Sequence, residues 1–421
     1  MAEALAARLD DLEEIQDAKP AEAIQGYREV IFAQTSTDAE TVKVKEQAIQ
    51  KLADLLAKQK HAQELCTLLT ELRPLFAQIP KAKTAKIVRT VIDAVSKIPD
   101  TVQLQLALCK EQVQWAREEK RSFLRQRIEV RLGALYLETR DFPAAIALIQ
   151  NLLVEVKRLD DKLLLVDVHL LESRVHDAVR NLPKSKAALT AARTAANSIY
   201  VPPALQCQID MQSGILHAEE KDYKTGFSYF YEGFETLSAL SDPQATSALK
   251  YMLLCKIMTN NTEDVASIIN TKGGIKHSGS ETEAMKAIAS ASLDRSLKDF
   301  EAALSTYKEQ LQDDPIIQVH LKALYDTLLE QNLCRLIEPF ERVEIAHLAE
   351  LIDIPMAEVE LKLSQMILDK KFAGILDQGA GCLLVFDDPP PEEIYSTAVN
   401  TISNMSKVVD SLFVKSHKIV A

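Results

Sequence analysis

One segment changes its apolar spacing from helical to strand-like over a short length: residues 321–388, LKALYDTLLEQNLCRLIEPFERVEIAHLAELIDIPMAEVELKLSQMILDKKFAGILDQGAGCLLVFDD. Spacings of three and four residues place side chains on one face of a helix, whereas a spacing of two is typical of a strand. Helical runs come first in this segment, and two short strand-like runs follow them. The order predicts a winged helix, with three helices and a small β-wing.

The apolar spacing also predicts which side of each helix is buried. The first helix runs towards Pro339, and the second ends where Pro355 prevents its continuation. Pro355 is suited to open the third helix as its first residue. Residues 342–344, between the first two helices, are expected to be extended. The expected buried residues are Leu321, Leu324 and Leu328 in the first helix, Ile345, Leu348, Leu351 and Ile352 in the second, and Met356, Val359, Leu363, Met366 and Ile367 in the third.

Two β-prone runs, 372–377 and 382–387, are joined by QGAG at 378–381, which predicts a hairpin. A small sheet has an edge with unpaired backbone groups, to which another strand can be added. We therefore expect neighbouring winged helices to join edge to edge. The candidate partner-binding residues of the wing are Phe372, Ile375, Leu383 and Val385.

Charge distinguishes a winged helix that reads DNA from one that docks on protein. The third helix and its end carry three acidic residues against three lysines, and the tip of the wing carries no Lys or Arg. Nucleic-acid affinity depends on clustered cations that contact phosphates. We therefore expect this winged helix to bind protein rather than DNA. The charged residues are Glu358, Glu360, Asp369, Lys362, Lys370 and Lys371.

The composition indicates a large, mostly helical protein. At 421 residues the chain is long enough for about two to four domains. Its 11 glycines are far below the roughly 7% of average usage, so few loops are expected. The net charge of −12 argues against a general nucleic-acid or anionic-membrane surface.

The cysteines and the first residues bear on location. The cysteines are widely separated, with no CxxC pair and no histidine at zinc-ligand spacing, so we interpret them as buried, reduced thiols. Residues 1–10 lack the basic region and apolar core of a signal peptide, and no stretch approaches the ~18 apolar residues of a membrane span. These features predict an intracellular protein of the cytoplasm, the nucleus or both. The cysteines are Cys66, Cys109, Cys207, Cys255, Cys334 and Cys382.

The sequence contains no recognisable motif for catalysis or for a cofactor. The open loop 271–280 lacks a Walker-type GK[ST], and Ser280 with Glu283 is better explained as a capping box that starts a helix. His169 and His176 lack a glutamate at HExxH spacing, and no serine has a GxSxG context. We therefore predict that the protein is not an enzyme and has no catalytic residues, cofactor, metal site or small-molecule substrate.

A repeat of about 40 residues precedes the winged helix. Its clearest breaks are at 139–142, 180–183 and 221–223, and each is followed by small residues, such as Ala144 or Gly226, that allow two helices to approach closely. One helix pair cannot bury its apolar face alone, so neighbouring pairs stack. The pattern predicts a right-handed solenoid of tetratricopeptide-like helix pairs. An ordinary helical bundle is the alternative.

A basic run interrupts this acidic chain. Acidic residues at 118, 119 and 129 alternate with it, so a solvated helix face with internal ion pairs is the favoured interpretation and a binding surface is the alternative. The run comprises Arg117, Lys120, Arg121, Arg125, Arg127 and Arg131.

The last segment, after the prolines at 389–391, is predicted to be one coiled-coil-like helix. Its apolar residues recur at spacings of three and four, which forms a heptad seam. A seam on a terminal helix requires partner helices, so Ile402, Met405, Val409 and Leu412 are the second set of candidate partner-binding residues. The full seam is Tyr395, Ala398, Ile402, Met405, Val409, Leu412, Ser416 and Ile419.

Helical repeats that end in a winged helix resemble the PCI family, which is shared by the proteasome regulatory lid, the COP9 signalosome and an initiation-factor complex. Four phrases are similar to those of a proteasome lid member of this family: EEKRSFLRQRIEVRL (118–132), LKYMLLCKIM (249–258), LSQMILDKKFAGILDQG (363–379) and NMSKVVDSL (404–412). The homologous scaffold subunit of the COP9 signalosome is the alternative.

The resemblance implies a non-catalytic scaffold that is needed for lid assembly and for ubiquitin-dependent protein degradation. Its expected partners are other lid PCI subunits, the α-ring of the proteasome core and the ATPase ring. The implied domains are an N-terminal helical-repeat solenoid at 1–222, a PCI domain at 223–391 with the winged helix at about 320–388, and a C-terminal bundle helix at 392–421.

Overall fold

The computed structural model describes residues 8–9, 12, 20–32, 39–76, 79–99, 101–312, 314–352, 354–386 and 393–420. The chain forms two compact units, Met1–Cys255 and Lys256–Ala421. The predicted end of the wing at Asp387 and the prolines at 389–391 lie outside the described residues. The predicted domain boundaries after residues 222 and 391 stay predictions.

The described part of the first unit is built from helices, as the repeat predicts. Most helices pack against the next helix along the chain, and from Val102 to Leu240 every successive pair does so. The helices are α1 (Pro20–Phe32), α2 (Ala39–Lys58), α3 (Ala62–Glu71), α4 (Arg73–Phe76), α5 (Lys81–Ser96), α6 (Val102–Glu118), α7 (Ser122–Glu138), α8 (Phe142–Leu159), α9 (Lys162–Ala178), α10 (Leu182–Ala196), α11 (Pro203–Glu219), α12 (Tyr223–Leu240) and α13 (Ala245–Met258), the last of which continues into the second unit.

The breaks between helices share one backbone device. A residue with a left-handed backbone ends the first helix, and the next residue donates its N–H back across the turn; Asp141 donates to the Tyr136 carbonyl at 2.9 Å. That same residue then caps the following helix, because the Asp141 carboxylate accepts from the Ala144 N–H at 3.4 Å. Between residues 120 and 260 the left-handed residues recur about every 20 positions, with one gap of about 40: Lys120, Arg140, Asp160, Arg180, Lys221, Ser241 and Asn260.

Small residues allow the paired helices to approach closely, as predicted. A Cβ atom on Gly226 would lie 3.3 Å from the Gly214 carbonyl oxygen of α11. A Cβ atom on Gly214 would lie 2.6 Å from the Phe230 ring of α12, so the ring packs directly on the α11 backbone. Phe230 is buried and also contacts Tyr251 of α13, with ring centroids 5.3 Å apart. This contact joins three successive helices.

The second unit contains the predicted winged helix. Its sheet is antiparallel with the order β1-β3-β2, and β1 pairs Val343 with Leu383 of β3. Its elements are α14 (Glu263–Ile269), α15 (Lys272–Lys276), α16 (Ser280–Leu293), α17 (Leu297–Thr306), α18 (Lys308–Gln312), α19 (Pro315–Ile337), β1 (Arg342–Glu344), α20 (Ile345–Ile352), α21 (Met356–Leu368), β2 (Ala373–Asp377), β3 (Cys382–Phe386) and α22 (Glu393–Val420).

Most of the predicted core of the winged helix is buried, but three side chains differ. Leu351 and Met356 are exposed and Ile367 is half-buried. Leu351 lies at the border of the apolar face of α20, and Met356 is the first residue of α21. Helical spacing identifies a face, but it does not show where along a helix the covering elements end.

The loop predicted at 271–280 is partly helical, because α15 occupies five of its residues. The predicted capping box at its end is wrong in detail. Gly279 is the N-cap of α16, and its N–H donates to the Thr282 hydroxyl at 2.9 Å, so Thr282 closes the first turn instead of Glu283.

Candidate functional site

The terminal helix α22 carries an uncovered apolar surface. Its four predicted seam residues are all exposed: Ile402 by 67%, Met405 by 63%, Val409 by 61% and Leu412 by 60%. Every described side chain from 394 to 417 is exposed in the same way. The helix therefore has no covering element among the described residues of its own unit.

The apolar surface of α22 is wider than the predicted seam. Further exposed apolar side chains flank the seam on both sides, whereas a narrow seam is typical of a two-stranded coiled coil. The spacing of seven residues did not find them, because they lie beside the seam rather than on it. We define the apolar stripe as the seam residues Tyr395, Ala398, Ile402, Met405, Val409 and Leu412 together with Ile394, Val399, Val408 and Phe413.

The outer strands of the described sheet are β1 and β2, and β1 has only three residues. β3 is the central strand and pairs with both of them, so the prediction that Leu383 and Val385 contact a partner at the edge needs correction. Leu383 is buried at 0% exposure, and Val385 donates its N–H to the Glu341 carbonyl at 2.9 Å. The outer side of β2, which carries the exposed Ile375 and follows the half-buried Phe372, is an edge of the described sheet.

The turn of the wing is formed as the hairpin signal predicts. The Asp377 carboxylate accepts from the N–H groups of Gly379 at 3.0 Å and Ala380 at 3.1 Å. Gly381 has a φ of +62°, which a glycine adopts without steric cost. The turn carries no cation, so nothing in it is suited to a phosphate contact.

The third helix of the winged helix, α21, does not present the basic face of a DNA reader. Lys362 and Lys371 are both paired with Glu330 of α19, with a distance of 3.0 Å from Lys362 Nζ to Glu330 Oε1. Leu361 and Leu368 are instead the most exposed apolar side chains of the helix, at 69% and 79%. The charge balance was readable in the sequence, whereas this exposed apolar pair was not.

Most side chains of the basic run make ion pairs or other contacts within the protein. Arg117 pairs with Glu129 at 2.9 Å, Arg125 pairs with Glu155, and Arg127 pairs with Asp167 at 3.5 Å. The favoured interpretation of a helix face with internal ion pairs therefore describes most of this run. Arg121 lies over the Trp115 ring, 5.0 Å from its centroid, and donates to the Phe76 carbonyl at 3.4 Å.

Two carboxyl groups form the most perturbed titratable pair. Burial and the neighbouring Asp177 raise the pKa of Glu219 to about 7, and burial raises the pKa of Asp177 as well. Gln212 donates to Asp177 at 3.1 Å and Arg180 donates to Glu219 at 2.7 Å. Asp177 and Glu219 therefore link α9 to α11, and their hydrogen-bond partners Gln212 and Arg180 belong to the same repeats.

The part of the chain that the structure describes contains no group of three or more His, Cys, Asp and Glu side chains placed to hold a metal ion. It also contains no helix that is long and apolar enough to cross a membrane.

Three family models match the chain. The N-terminal domain of the 26S proteasome regulatory subunit RPN6 matches residues 5–139, the PCI domain matches 304–387, and the RPN6 C-terminal helix domain matches 393–416. The last match coincides with the helix that carries the apolar stripe.

Relatives match along nearly the full chain. The 26S proteasome non-ATPase regulatory subunit 11 homolog of Arabidopsis thaliana is 62% identical over 405 residues, which are 96% of each chain. The subunit 11 protein of Dictyostelium discoideum is 50% identical over 98% of each chain. RPN6 of Saccharomyces cerevisiae is 48% identical over 80% of this chain and 79% of its own. The chain therefore belongs to the family of 26S proteasome non-ATPase regulatory subunit 11, also named RPN6.

Proposed function

We propose that this protein is a non-catalytic scaffold of the proteasome regulatory lid whose terminal helix joins a bundle of helices from neighbouring subunits. The observation that carries the proposal is the apolar stripe of α22, which is exposed along its described length. Burial of each such side chain contributes about 1.5–3 kcal/mol, so several together supply a large association energy. A wide stripe fits contact with more than one helix.

The wing supports a second contact with a neighbouring PCI subunit. The outer side of β2 offers backbone groups to an added strand, with Ile375 exposed beside them. Leu383 belongs to the core of its own winged helix, so it supports the sheet rather than touching the partner. Val385 is half-buried on the central strand and acts in the same indirect way.

The stacked repeats support the remaining partners that we propose, the α-ring of the core and the ATPase ring. A repeat array offers an extended surface for proteins, and this one lies within a chain of net charge −12. We propose the cytoplasm and nucleus as the location. A fluorescent tag on the full chain tests that part, and exclusion from either compartment would contradict it.

The identity of the partners is tested by affinity purification of the tagged full chain from cells. We expect lid, core and ATPase-ring subunits, and no peptidase, isopeptidase or ATPase turnover by the purified chain alone. Recovery of signalosome subunits instead would favour the alternative scaffold. Turnover that one point substitution abolishes would overturn the non-catalytic assignment.

The wing contact is tested by Ile375→Lys, because a lysine on an edge strand opposes the addition of another strand. We expect weaker association with one adjacent PCI subunit while the chain stays folded. Gln378→Lys adds the same charge at the exposed turn and is the matched control. Equal association of both variants and the unmodified chain would show that the edge of β2 is not the contact.

A further inference from the structure

A groove in the first unit is separate from the wing and from the terminal helix α22. It has a volume of about 480 Å³ and is formed by α5, α7 and α9. Small side chains leave room along it, and aliphatic side chains form much of its wall. The apolar lining includes Ala82, Ala85, Ile92, Leu124, Ile128 and Leu164.

The charges around this groove do not balance. Four cations line it against two carboxylates, in a chain whose net charge is −12. Lys86 is paired with Glu46 at 2.7 Å, and Arg127 with Asp167 at 3.5 Å.

Arg89 and Arg131 make no ion pair within 4.0 Å among the residues that the structure describes, although both lie near Asp93. The Nε–H groups of Arg127 and Arg131 are buried without a hydrogen-bond partner in that same part of the chain. Atoms buried in this way are closed to a ligand in the groove, so a bound anion would be met by the terminal guanidinium nitrogens of Arg89 and Arg131, beside an apolar wall.

One carboxylate of the groove wall is largely withdrawn from water. Burial raises the pKa of Asp167 by more than the neighbouring Arg127 guanidinium lowers it. Phe123 is 57% exposed at the rim, and the Arg127 guanidinium lies 5.5 Å from its ring centroid. An anion that enters such a site is attracted more strongly than it is in water.

We propose that this groove binds a short acidic peptide segment of a partner protein, with a bulky apolar side chain in the groove and a carboxylate paired with Arg89 and Arg131. Guanidinium groups match carboxylates through paired hydrogen bonds, and aliphatic walls match an apolar anchor. Single-stranded nucleic acid fits less well, because it needs an extended basic track and several aromatic rings, whereas Phe123 is the aromatic residue of this lining.

The test measures fluorescence anisotropy of a labelled peptide, Gly-Glu-Asp-Leu-Phe-Asp-Glu, with the purified full chain. We expect a dissociation constant of about 10–100 μM. Arg89→Ala and Arg131→Ala should each weaken binding by about tenfold, since each removes a charge-assisted contact. Ala82→Trp should also weaken it by filling the groove while leaving every cation in place.

Arg158→Ala is the matched control, because Arg158 is an exposed arginine of α8 outside the groove. Circular dichroism melts identify any variant that fails to fold, and Ala82→Trp tests the site if Arg131→Ala does so. Equal binding of Gly-Lys-Lys-Leu-Phe-Lys-Lys, or of a peptide with Ala in place of Leu and Phe, would overturn the proposal. So would no binding of the acidic peptide, equal loss with Arg158→Ala, or tighter binding of an oligonucleotide.

This site is independent of lid assembly. The groove variants are expected to enter the lid normally, and variants in the apolar stripe of α22 are expected to bind the peptide normally. Failure of the peptide test therefore leaves the scaffold proposal standing, and failure of the scaffold proposal leaves the groove to be tested on the purified chain.

Discussion

Helices α5 and α22 have the same kind of amphipathic sequence but opposite surroundings. In α5 the apolar residues at 87, 88, 91, 92 and 95 are all buried, whereas the apolar stripe of α22 is exposed along its described length. Both patterns repeat at spacings of three and four residues. Periodicity therefore predicts that a helix has an apolar face, but it does not reveal whether the chain itself supplies the cover.

The largest expected effect comes from removing one buried aromatic ring. Phe230 of α12 is 1% exposed, and Phe413 of α22 is 67% exposed. Phe230→Ala should lower the free energy of unfolding by about 3–5 kcal/mol, because it removes a ring from between α11 and α13. Phe413→Ala should leave it within about 0.5 kcal/mol. Urea unfolding of both variants measures this, and equal effects would break the contrast between the two regions.

The next effect concerns the ion pairs that hold α21 on α19. Burial raises the pKa of Glu330, but its bonds to Lys371 and Lys362 outweigh that effect and hold the pKa below its usual value. A carboxyl group whose pKa is lower in the folded state stabilises the protein at pH values above its unfolded-state pKa. That stability is lost as the pH falls through the folded-state pKa. Glu330→Gln should lower stability by about 2–3 kcal/mol at pH 7, and little at acid pH. Stability curves at several pH values measure it, and an unchanged midpoint at pH 7 would contradict it.

A smaller effect, an increase in stability, is expected from changing Glu219, which lies where helices of neighbouring repeats meet. The pKa of Glu219 is about 7 in the folded protein, above its ordinary 4.5, so the folded state holds more protons between those values. Stability therefore falls as the pH rises through this window. Glu219→Gln mimics the protonated form and should raise stability by about 1–2 kcal/mol at pH 8. Thermal melts from pH 5 to 8 measure it, and an equally steep decline in the variant would count against the raised pKa of Glu219.

The smallest effect concerns the turns of the repeat. Arg140 has a φ of +61°, a conformation that glycine adopts without steric cost. Arg140→Gly should stabilise the first unit by about 0.5 kcal/mol, whereas Gln150→Gly at an exposed position inside α8 should destabilise it by about 1 kcal/mol. Thermal melts of both variants measure the difference, and destabilisation by both would show that the turn is not strained.

The fold was predictable from the sequence wherever apolar spacing was regular. Residues 321–388 reveal the winged helix, yet the spacing did not show that β1 pairs with β3 and leaves β2 as an edge. β1 has only three residues, too few for an alternating pattern to specify a partner. The left-handed turn residues were also missed, because Lys and Arg do not signal that conformation as Gly does.

The candidate sites were predictable only where their residues repeat along the chain. The seam of α22 was readable because it repeats, whereas its width depends on residues between the repeats, such as Val399 and Val408. The basic run was visible, but the sequence did not show that Arg131 would stand near Arg89 of another helix. Contacts between helices depend on packing that local spacing does not encode.

The central claim is that α22 serves assembly rather than the stability of its own chain. Its most direct test compares two double variants. One carries Val409→Glu and Leu412→Glu together, and the matched control carries Asn400→Glu and Ser411→Glu together on the opposite face of the helix. Both add the same charge, but only the first places it in the apolar stripe.

Co-purification with lid subunits is the measurement, with the melting temperature of the isolated chain as its companion. The account predicts that Val409→Glu with Leu412→Glu lowers incorporation by at least about tenfold, since two apolar anchors are lost, while its melting temperature and the control are unchanged. Normal incorporation of that variant, or a collapse of its melting temperature, would contradict the account.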